Sequence, residues 1–226
     1  MIFAAGRGTR MGALTADRPK PLVPVAGRPL IDHALALATG AGITAITANT
    51  HYRAAQMEAH LRPHGIAISR EAELLETGGG LKAALPLIEG DPILTLNADA
   101  VWAGGCNPLT SLTNAWHSAC EALLLLVPRE AATAHAGQGD FHLDAAGRCH
   151  RRAPGETAPF VYTGTQLIRR APVAALEDRA FSLNRVWDGM IARGTLFGLV
   201  HDGHWADVGR PEGIAAAEAM LAAVPR

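Results

Sequence analysis

The chain has little of what marks secreted, membrane-spanning and disulfide-rich proteins. Its three cysteines, Cys106, Cys120 and Cys149, are odd in number and form no CxxC pair, so neither a disulfide framework nor a cysteine metal site is expected. Uninterrupted apolar runs such as residues 122–127 are far too short to cross a bilayer. No basic segment leads into an apolar stretch at the beginning. We therefore expect a cytoplasmic protein with no membrane partner.

Charge is also scarce, and neither sign dominates. Only 18% of the residues are charged, the net charge is −1, and Lys and Arg form no long run. A nucleic-acid partner is therefore not expected. Apolar residues make up 49% of a chain of 226 residues, which is enough to bury the core of one compact α/β domain.

In the first half of the chain, strand-like segments alternate with helix-like ones. The predicted strands are residues 1–5, 43–49, 66–69 and 92–97, and the predicted helices are a segment from Leu30 to Gly40 or Gly42, residues 52–61 and residues 81–88. Such alternation predicts a mostly parallel sheet covered by helices on both faces. The expected fold class is thus α/β, a Rossmann-like three-layer sandwich.

The second half is less regular but has no linker and no internal repeat. Its predicted elements are strands at residues 121–127, 160–169 and 195–201, helices at 182–193 and 211–223, and a hairpin formed by 139–143 and 148–152. We therefore expect a single domain over residues 1–226, with a mixed central sheet and a small added β hairpin region.

Two glycines directly follow the first predicted strand. Gly6 and Gly8 let the backbone turn tightly and bring its N–H groups against an anion, of which phosphate is the usual one. Arg10 adds a guanidinium suited to phosphate oxygens. A Rossmann dinucleotide loop would need a third glycine where Met11 stands, and a Walker loop would need Gly-Lys-Ser/Thr. A glycine turn without a ligand remains the plain alternative.

A second feature of this region is a lysine between two prolines. Pro19 and Pro21 stiffen the segment that carries Lys20. A stiff segment suits a cation that must stay in one place, although a solvated surface lysine in a proline-rich turn is the alternative.

Two aspartates are candidate ligands for Mg²⁺. Asp99 stands at the carboxyl end of an apolar strand, where ligand sites of open α/β sheets occur, and Asp207 lies in the segment 203–209. Mg²⁺ prefers oxygen ligands and is often held by one or two carboxylates together with phosphates. Each aspartate could instead cap a turn. His201 and His204 lie near Asp207, but no further ligand cluster supports zinc.

Taken together, these motifs resemble those of a known family. Ala-Ala-Gly-x-Gly-Thr-Arg-Met, followed by Pro-Lys-Pro-Leu-Val-Pro-Val and Gly-x-Pro-Leu-Ile, is similar to the signature of sugar-1-phosphate nucleotidyltransferases. The resemblance implies that Arg10 and Lys20 are catalytic and that Asp99 and Asp207 bind Mg²⁺. It also implies a nucleotide site at Ala4, Ala5, Gly6, Gly8 and Thr9. The chain departs from the family at Ala98, where a glycine is usual.

The resemblance also assigns the nucleobase and the sugar. The segment of Glu76, Thr77, Gly78 and Gly79, expected as a loop before a helix, would contact the base, although a simple glycine turn is the alternative. Residues 1–105 would then be the nucleotide-binding half and residues 106–226 the sugar-binding half. The implied sugar-binding residues are Asn97, Gly139, Asp140, Arg151, Tyr162 and Thr163. Arg151 or Arg152 would replace a lysine common in the family, unless both simply lie on a solvated hairpin edge.

Within the family, the chain looks most similar to N-acetylmuramate 1-phosphate uridylyltransferases of cell-wall recycling. The resemblance therefore implies UTP and N-acetylmuramate 1-phosphate as substrates. Mannose, glucose or heptose phosphates with GTP or dTTP are alternatives, as is a non-catalytic sensing or assembly domain. CMP transfer to phosphocholine is a further rival, but it would need an aromatic cage, and only two Tyr and four Trp are available to build one. The residues leave the choice between monomer and homodimer open.

Overall fold

The computed structural model of the protein describes residues 1–224. The strands are β1 (Ile2–Phe3), β2 (Pro24–Val25), β3 (Arg28–Pro29), β4 (Thr47–Thr50), β5 (Ala67–Arg70), β6 (Ile93–Asn97), β7 (Ala100–Ala103), β8 (Ala122–Pro128), β9 (Ala132–Thr133), β10 (Phe141–Leu143), β11 (Cys149–Arg151), β12 (Phe160–Ile168), β13 (Leu196–Val200) and β14 (His204–Asp207). The helices are α1 (Leu30–Gly40), α2 (Ala54–Leu61), α3 (Glu76–Ala84), α4 (Pro108–Ala115), α5 (Arg170–Ala174), α6 (Leu183–Arg193) and α7 (Pro211–Ala223). Among the helices of residues 1–224, none combines the length and apolar character needed to span a membrane.

The central sheet is mixed and mostly parallel, as predicted. Its strands follow the order β5-β4-β1-β6-β12-β8-β13. All neighbours are parallel except β12, which runs antiparallel to both β6 and β8. The predicted hairpin forms as β10 and β11 and joins the sheet through β12.

Strand β8 shows why the molecule has three layers. Because successive side chains of a strand point to opposite faces, Leu124 and Leu126 pack in the apolar cluster that contains Leu81 of α3 and Trp187 of α6. The alternate residues Leu123 and Leu125 pack in a different cluster with Leu112 of α4. Helices α1 and α2 cover the other half of the sheet, through Ile31, Leu35 and Met57.

Several boundaries differ from the sequence prediction, and β1 is shorter than the predicted 1–5. The strand expected at 43–49 begins at Thr47, because Gly42 adopts φ +74° and the Ile43 N–H donates to Ala38 O in the turn that ends α1. Helix α2 starts at Ala54, after Arg53 in the left-handed region. Helix α3 starts at Glu76 and not at residue 81.

A second, small sheet was not predicted. It has the order β7-β14-β9, with β14 antiparallel to β7 and parallel to β9. Strand β7 follows directly after Asp99, and β14 ends at Asp207. This sheet therefore brings together two aspartates that are far apart in the chain.

Candidate active site

The candidate site lies where the parallel strands β1, β4, β5 and β6 end. The loop that contains Gly6 and Gly8, called the glycine loop below, follows β1, and Asp99 follows β6. Together with residues at the ends of β4 and β5 they border a pocket of about 240 Å³. The pocket is lined by Phe3, Ala5, Gly6, Asn49, Glu71, Leu74, Glu76, Thr77, Asn97 and Asp99. Ligands of open α/β sheets bind outside these carboxyl ends.

A larger cavity, of about 370 Å³, lies elsewhere and is lined mainly by apolar residues, among them Met1, Ile43, Ile93 and Trp116. It exceeds the candidate pocket in volume, as do three further pockets of about 410 to 430 Å³. Ligand sites, however, need a few convergent polar groups besides apolar walls, and only the smaller pocket has several carboxylates and amides on its wall. We therefore place the chemistry in the smaller pocket.

The glycine loop and Lys20 depend on each other. Gly8 has φ +64°, and a Cβ built on it would lie 2.7 Å from Cβ of Lys20. A glycine at this position thus lets the lysine segment pack directly against the loop. At Gly6 a Cβ would meet nothing within 4 Å, so the backbone there is open to a ligand.

Lys20 makes a close ion pair with Asp99. Its Nζ lies 2.6 Å from Oδ2 of Asp99, and the two side chains are 10% and 31% exposed. The contact spans 79 positions of the chain. It places a cation and a carboxylate, both predicted as site residues, at the edge of one pocket.

Asp207 lies beside Asp99 because of the small sheet. Asp207 pairs with Ala100, and the Val208 N–H donates to Asp99 O at 3.0 Å. Burial raises the pKa of the Asp207 carboxyl, but a contact with His135 and the charges of Lys20 and Arg10 outweigh burial and hold that pKa below its usual range. Asp207 is therefore an anion stabilised by the positive charges of Lys20 and Arg10.

The two carboxylates fit the metal that the family resemblance implies. Both are only partly exposed, at 31% for Asp99 and 29% for Asp207, and both offer the oxygen atoms that Mg²⁺ prefers. The ammonium of Lys20 against Asp99 shows that positive charge is stabilised at this point.

The floor of the pocket is a buried network that sequence reasoning missed. Asn49 accepts the Ala4 N–H at 2.8 Å and donates to Glu71 at 2.7 Å, and the second carboxylate oxygen of Glu71 accepts the Leu75 N–H. The network ties β1, β4, β5 and the start of α3 together. It also uses the N–H of Ala4, which was predicted to bind nucleotide. The sequence signal available was the position of Asn49 at the end of the predicted strand 43–49.

The glycine segment before residue 81 is the first turn of α3 and not a loop. The N–H groups of Gly78 and Gly79 both donate to the carbonyl of Phe181, at 2.8 and 3.0 Å. The prediction that the backbone N–H groups of these two glycines contact a base is therefore corrected, because both N–H groups already donate to Phe181 O. Glu76, in the left-handed region at φ +59°, and Thr77 do line the pocket.

Asn97 is the predicted sugar residue that the structure places in the pocket. Gly164 on β12 packs against it, since a Cβ there would lie 2.5 Å from Nδ2 of Asn97. A residue other than glycine at position 164 would thus displace the amide.

The other predicted sugar residues serve the fold. The Thr163 hydroxyl is buried and donates to Leu125 O at 2.8 Å. Gly139, at φ +81°, turns against Ala158, Asp140 accepts the Tyr162 N–H at 2.9 Å, and the Tyr162 ring stands edge-on to Trp187. Burial raises the pKa of the Tyr162 hydroxyl above its usual range.

Arg151 is also held by neighbours and not presented to the pocket. Its Nε lies 2.6 Å from Oδ1 of Asp188, and its Nη2 donates to Asn184. Arg152 donates to the carbonyls of Gly139, Ala153 and Glu156. The prediction that Arg151 binds the sugar is therefore corrected: its charge is paired with α6.

One other cluster of possible metal ligands occurs in residues 1–224, formed by Asp32, His60 and His64. His60 Nε2 lies 2.6 Å from Oδ1 of Asp32. Ligand atoms around a tetrahedral Zn²⁺ with bonds of ~2.1 Å would be roughly 3.4 Å apart. The contact is therefore a hydrogen bond that joins α1 to α2. His201, which the sequence placed near Asp207, packs edge-on against Trp102.

Comparison with known proteins agrees with this geometry. Residues 1–128 match the family model of the MobA-like NTP transferase domain. The chain is 37% identical to the N-acetylmuramate alpha-1-phosphate uridylyltransferase of Caulobacter vibrioides, over 98% of this chain and 96% of that protein. It is 32% identical to the enzyme of the same name from Neisseria meningitidis, over 99% and 98% of the two chains.

Among solved structures, the fold is similar to a putative glucose-1-phosphate thymidylyltransferase from Bacillus anthracis. The TM-score is 0.80 at 18% identity, over 100% of this chain and 95% of that one. The chain belongs to the MobA-like NTP transferase domain family, and it is a nucleotidyltransferase.

Proposed function

We propose that the protein is a cytoplasmic, Mg²⁺-dependent uridylyltransferase of cell-wall recycling. It transfers the uridylyl group of UTP to N-acetylmuramate 1-phosphate and releases UDP-N-acetylmuramate and pyrophosphate. The contact between Lys20 and Asp99 at the pocket supports nucleotidyl transfer. The two uridylyltransferases that match over nearly the whole chain support the choice of substrates.

In this reaction an oxygen of the sugar 1-phosphate attacks the α-phosphorus of UTP. The new O–P bond forms as the bond from the α-phosphorus to the bridging oxygen breaks, and pyrophosphate leaves with that electron pair. The attacking phosphate is already an anion, so the protein need not supply a general base. Catalysis then depends on positioning and on charge stabilisation.

The residues around the pocket suit these tasks. The open backbone at Gly6, with the loop to Thr9, would lie against the triphosphate, and Arg10 would hold the pyrophosphate as it leaves. Lys20, fixed by Gly8 and Asp99, would stabilise negative charge at the α-phosphate. Asp99 and Asp207 would hold Mg²⁺, which supplies charge neutralisation between the reacting phosphates when bound.

The pocket wall would recognise the two organic groups. Ala5, Glu76 and Thr77 would lie nearest the nucleotide, and Asn97, kept in place by Gly164, would contact the sugar side. Thr163 and Arg151 have no part in this proposal, because their polar groups already have partners.

The test is pyrophosphate release over a matrix of UTP, GTP, dTTP and CTP against the 1-phosphates of N-acetylmuramate, mannose, glucose and heptose, with phosphocholine as a further acceptor. We expect the highest kcat/KM for UTP with N-acetylmuramate 1-phosphate. A higher value for GTP with mannose 1-phosphate would reassign the substrates. Absence of turnover with every pair would favour a non-catalytic sensing domain.

A further inference from the structure

His135 lies beside Asp207, although sequence reasoning gave it no role. Strand β9 runs parallel to β14, with Ala132 opposite Trp205 and Thr133 opposite Ala206. The chain beyond β9 therefore passes the end of β14, where Asp207 stands. Nδ1 of His135 lies 3.7 Å from Oδ2 of Asp207, a polar contact slightly longer than a hydrogen bond.

The local backbone holds the imidazole at this place. Ala134, directly before it, adopts φ +60°, a conformation that non-glycine residues rarely take. A Cβ at Gly137 would lie 2.2 Å from Nε2 of His135, so the ring fills the space of a missing side chain. The Trp205 ring lies 6.1 Å away, measured between centroids. The unfavourable backbone at Ala134 thus directly precedes the residue that contacts Asp207, and such strain often occurs at functional sites.

The two ring nitrogens differ in their surroundings. Nε2 is buried and has no hydrogen-bond partner within residues 1–224, whereas Nδ1 faces the carboxylate. Packing alone does not require the second ring nitrogen to face a carboxylate. A ring carrying its proton on Nδ1 would direct an N–H to Oδ2.

Gly209 keeps side-chain bulk away from the same carboxylate. A Cβ at this position would lie 2.9 Å from Oδ1 and 3.3 Å from Oδ2 of Asp207. Of the two oxygens, Oδ2 is the one within 3.7 Å of Nδ1 of His135. The carboxylate thus has the imidazole on one side and no side chain at position 209.

We infer that His135 is a positioning residue, which fixes the rotation of the Asp207 carboxylate so that this carboxylate can bind the metal ion of the metal–nucleotide complex. The inference rests on the proposed function, since it takes Asp207 as a metal ligand. Partners that orient ligating carboxylates and imidazoles typically contribute about 10–100-fold in metal affinity or activity.

The test compares two variants of the full chain by calorimetry. His135→Leu keeps apolar bulk without a donor, and His135→Asn keeps a short side-chain N–H near the place of Nδ1. Binding of UTP is measured with Mn²⁺ and again with EDTA. We expect His135→Leu to weaken binding of Mn²⁺–UTP about 10–100-fold, with binding of UTP in EDTA unchanged, and His135→Asn to restore most of the loss.

General damage to the fold would weaken both forms of UTP alike, and that result would overturn the inference. Binding of Mn²⁺–UTP at the wild-type level by His135→Leu would also overturn it. In the double variant with Asp207→Asn, the His135→Leu change should cause no additional loss, because its effect runs through Asp207. Failure of the proposed function looks different: the wild-type protein itself would then gain no affinity for UTP from Mn²⁺ and would release no pyrophosphate.

Discussion

At the scale of single residues, the two aspartates make the most direct prediction. Asp99→Asn removes the charge that pairs with Lys20 and one metal oxygen, while the side chain keeps its size. We expect the fold to remain and kcat at saturating Mg²⁺ to fall by about 10²-fold or more, as for other losses of transition-state charge stabilisation. The measurement is pyrophosphate release together with a thermal unfolding curve.

Asp202→Asn is the matched control, because the Asp202 side chain is 83% exposed. It should leave both kcat and the unfolding curve unchanged. Turnover of Asp99→Asn close to wild type would remove Asp99 from the site.

A second prediction concerns the fit between the loop and the lysine. Gly8→Ala should lower both stability and activity, because a Cβ at this left-handed position would also push on Cβ of Lys20, 2.7 Å away. Gly27→Ala carries the same backbone penalty of roughly 1–2 kcal/mol, but a Cβ there meets nothing within 4 Å. Gly8→Ala should therefore unfold at a lower urea concentration than Gly27→Ala, and only Gly8→Ala should lose kcat.

Equal kcat for the two glycine variants would mean that Gly8 serves the turn alone. In that case the packing between the loop and Lys20 would have no catalytic importance, and the ion pair with Asp99 would suffice to hold the lysine.

These residues also show what a sequence can reveal about a site. The loop, Lys20 and the two aspartates were predicted because each stands in a recognisable local pattern. The residues that support them, Asn49, Glu71 and His135, were not predicted. Their partners come from other strands, so their role arises only when the sheet forms.

At the scale of elements, the same distinction between local and distant contacts holds. Helix α1 and the strands of the central sheet carry their own periodicity, and the sequence predicted them to within a few residues. Strands β7, β9 and β14 are short, and their pairing joins distant segments. The start of α3 was predicted too far along the chain because a run of glycines is typical of loops. Here, however, N–H groups in the first turn of α3 donate to the carbonyl of Phe181.

The glycines of α3 predict a difference between two helices. A Cβ at Gly80 would lie 2.7 Å from Oε1 of Glu71 and 2.9 Å from Nδ2 of Asn49. Gly80→Ala should therefore destabilise the protein by about 1–3 kcal/mol, as overpacking of a core usually does. In α6, a Cβ at Gly189 would meet only Nη1 of Arg193, at 3.2 Å, the guanidinium nitrogen that does not pair with Glu121. Gly189→Ala should therefore stabilise by roughly 0.5–1 kcal/mol.

Urea unfolding of the two variants measures both effects. Opposite signs for two identical substitutions in helices would show that the buried network, and not helix propensity, requires the glycine in α3. Destabilisation of similar size in both helices would contradict that explanation.

At the scale of the whole molecule, both faces of the central sheet share strand β8. Cys149 packs with Leu124 and Leu126 on one face, and Cys120 packs with Leu123 and Leu125 on the other. Since these leucines alternate along one strand, neither face can open without disturbing the other. The domain should therefore unfold as a single cooperative unit.

The cysteines allow this to be measured. Cys106 is exposed, whereas Cys120 and Cys149 are buried. Burial raises the pKa of the Cys149 thiol to about 12 and also raises the pKa of the Cys120 thiol. Because the thiolate is the reactive form, only Cys106 should react with a maleimide or disulfide reagent in the folded protein at pH 8, and Cys106→Ser should abolish that reaction.

In increasing urea, mass spectrometry of the labelled peptides should show Cys120 and Cys149 becoming reactive at the same midpoint. The midpoint should match that of the circular dichroism signal, because loss of β8 exposes both faces at once. Earlier labelling of either cysteine would mean that its helix layer separates from the sheet before the other. The layer that contains this cysteine would then be able to unfold independently, in spite of the strand β8 that both layers share.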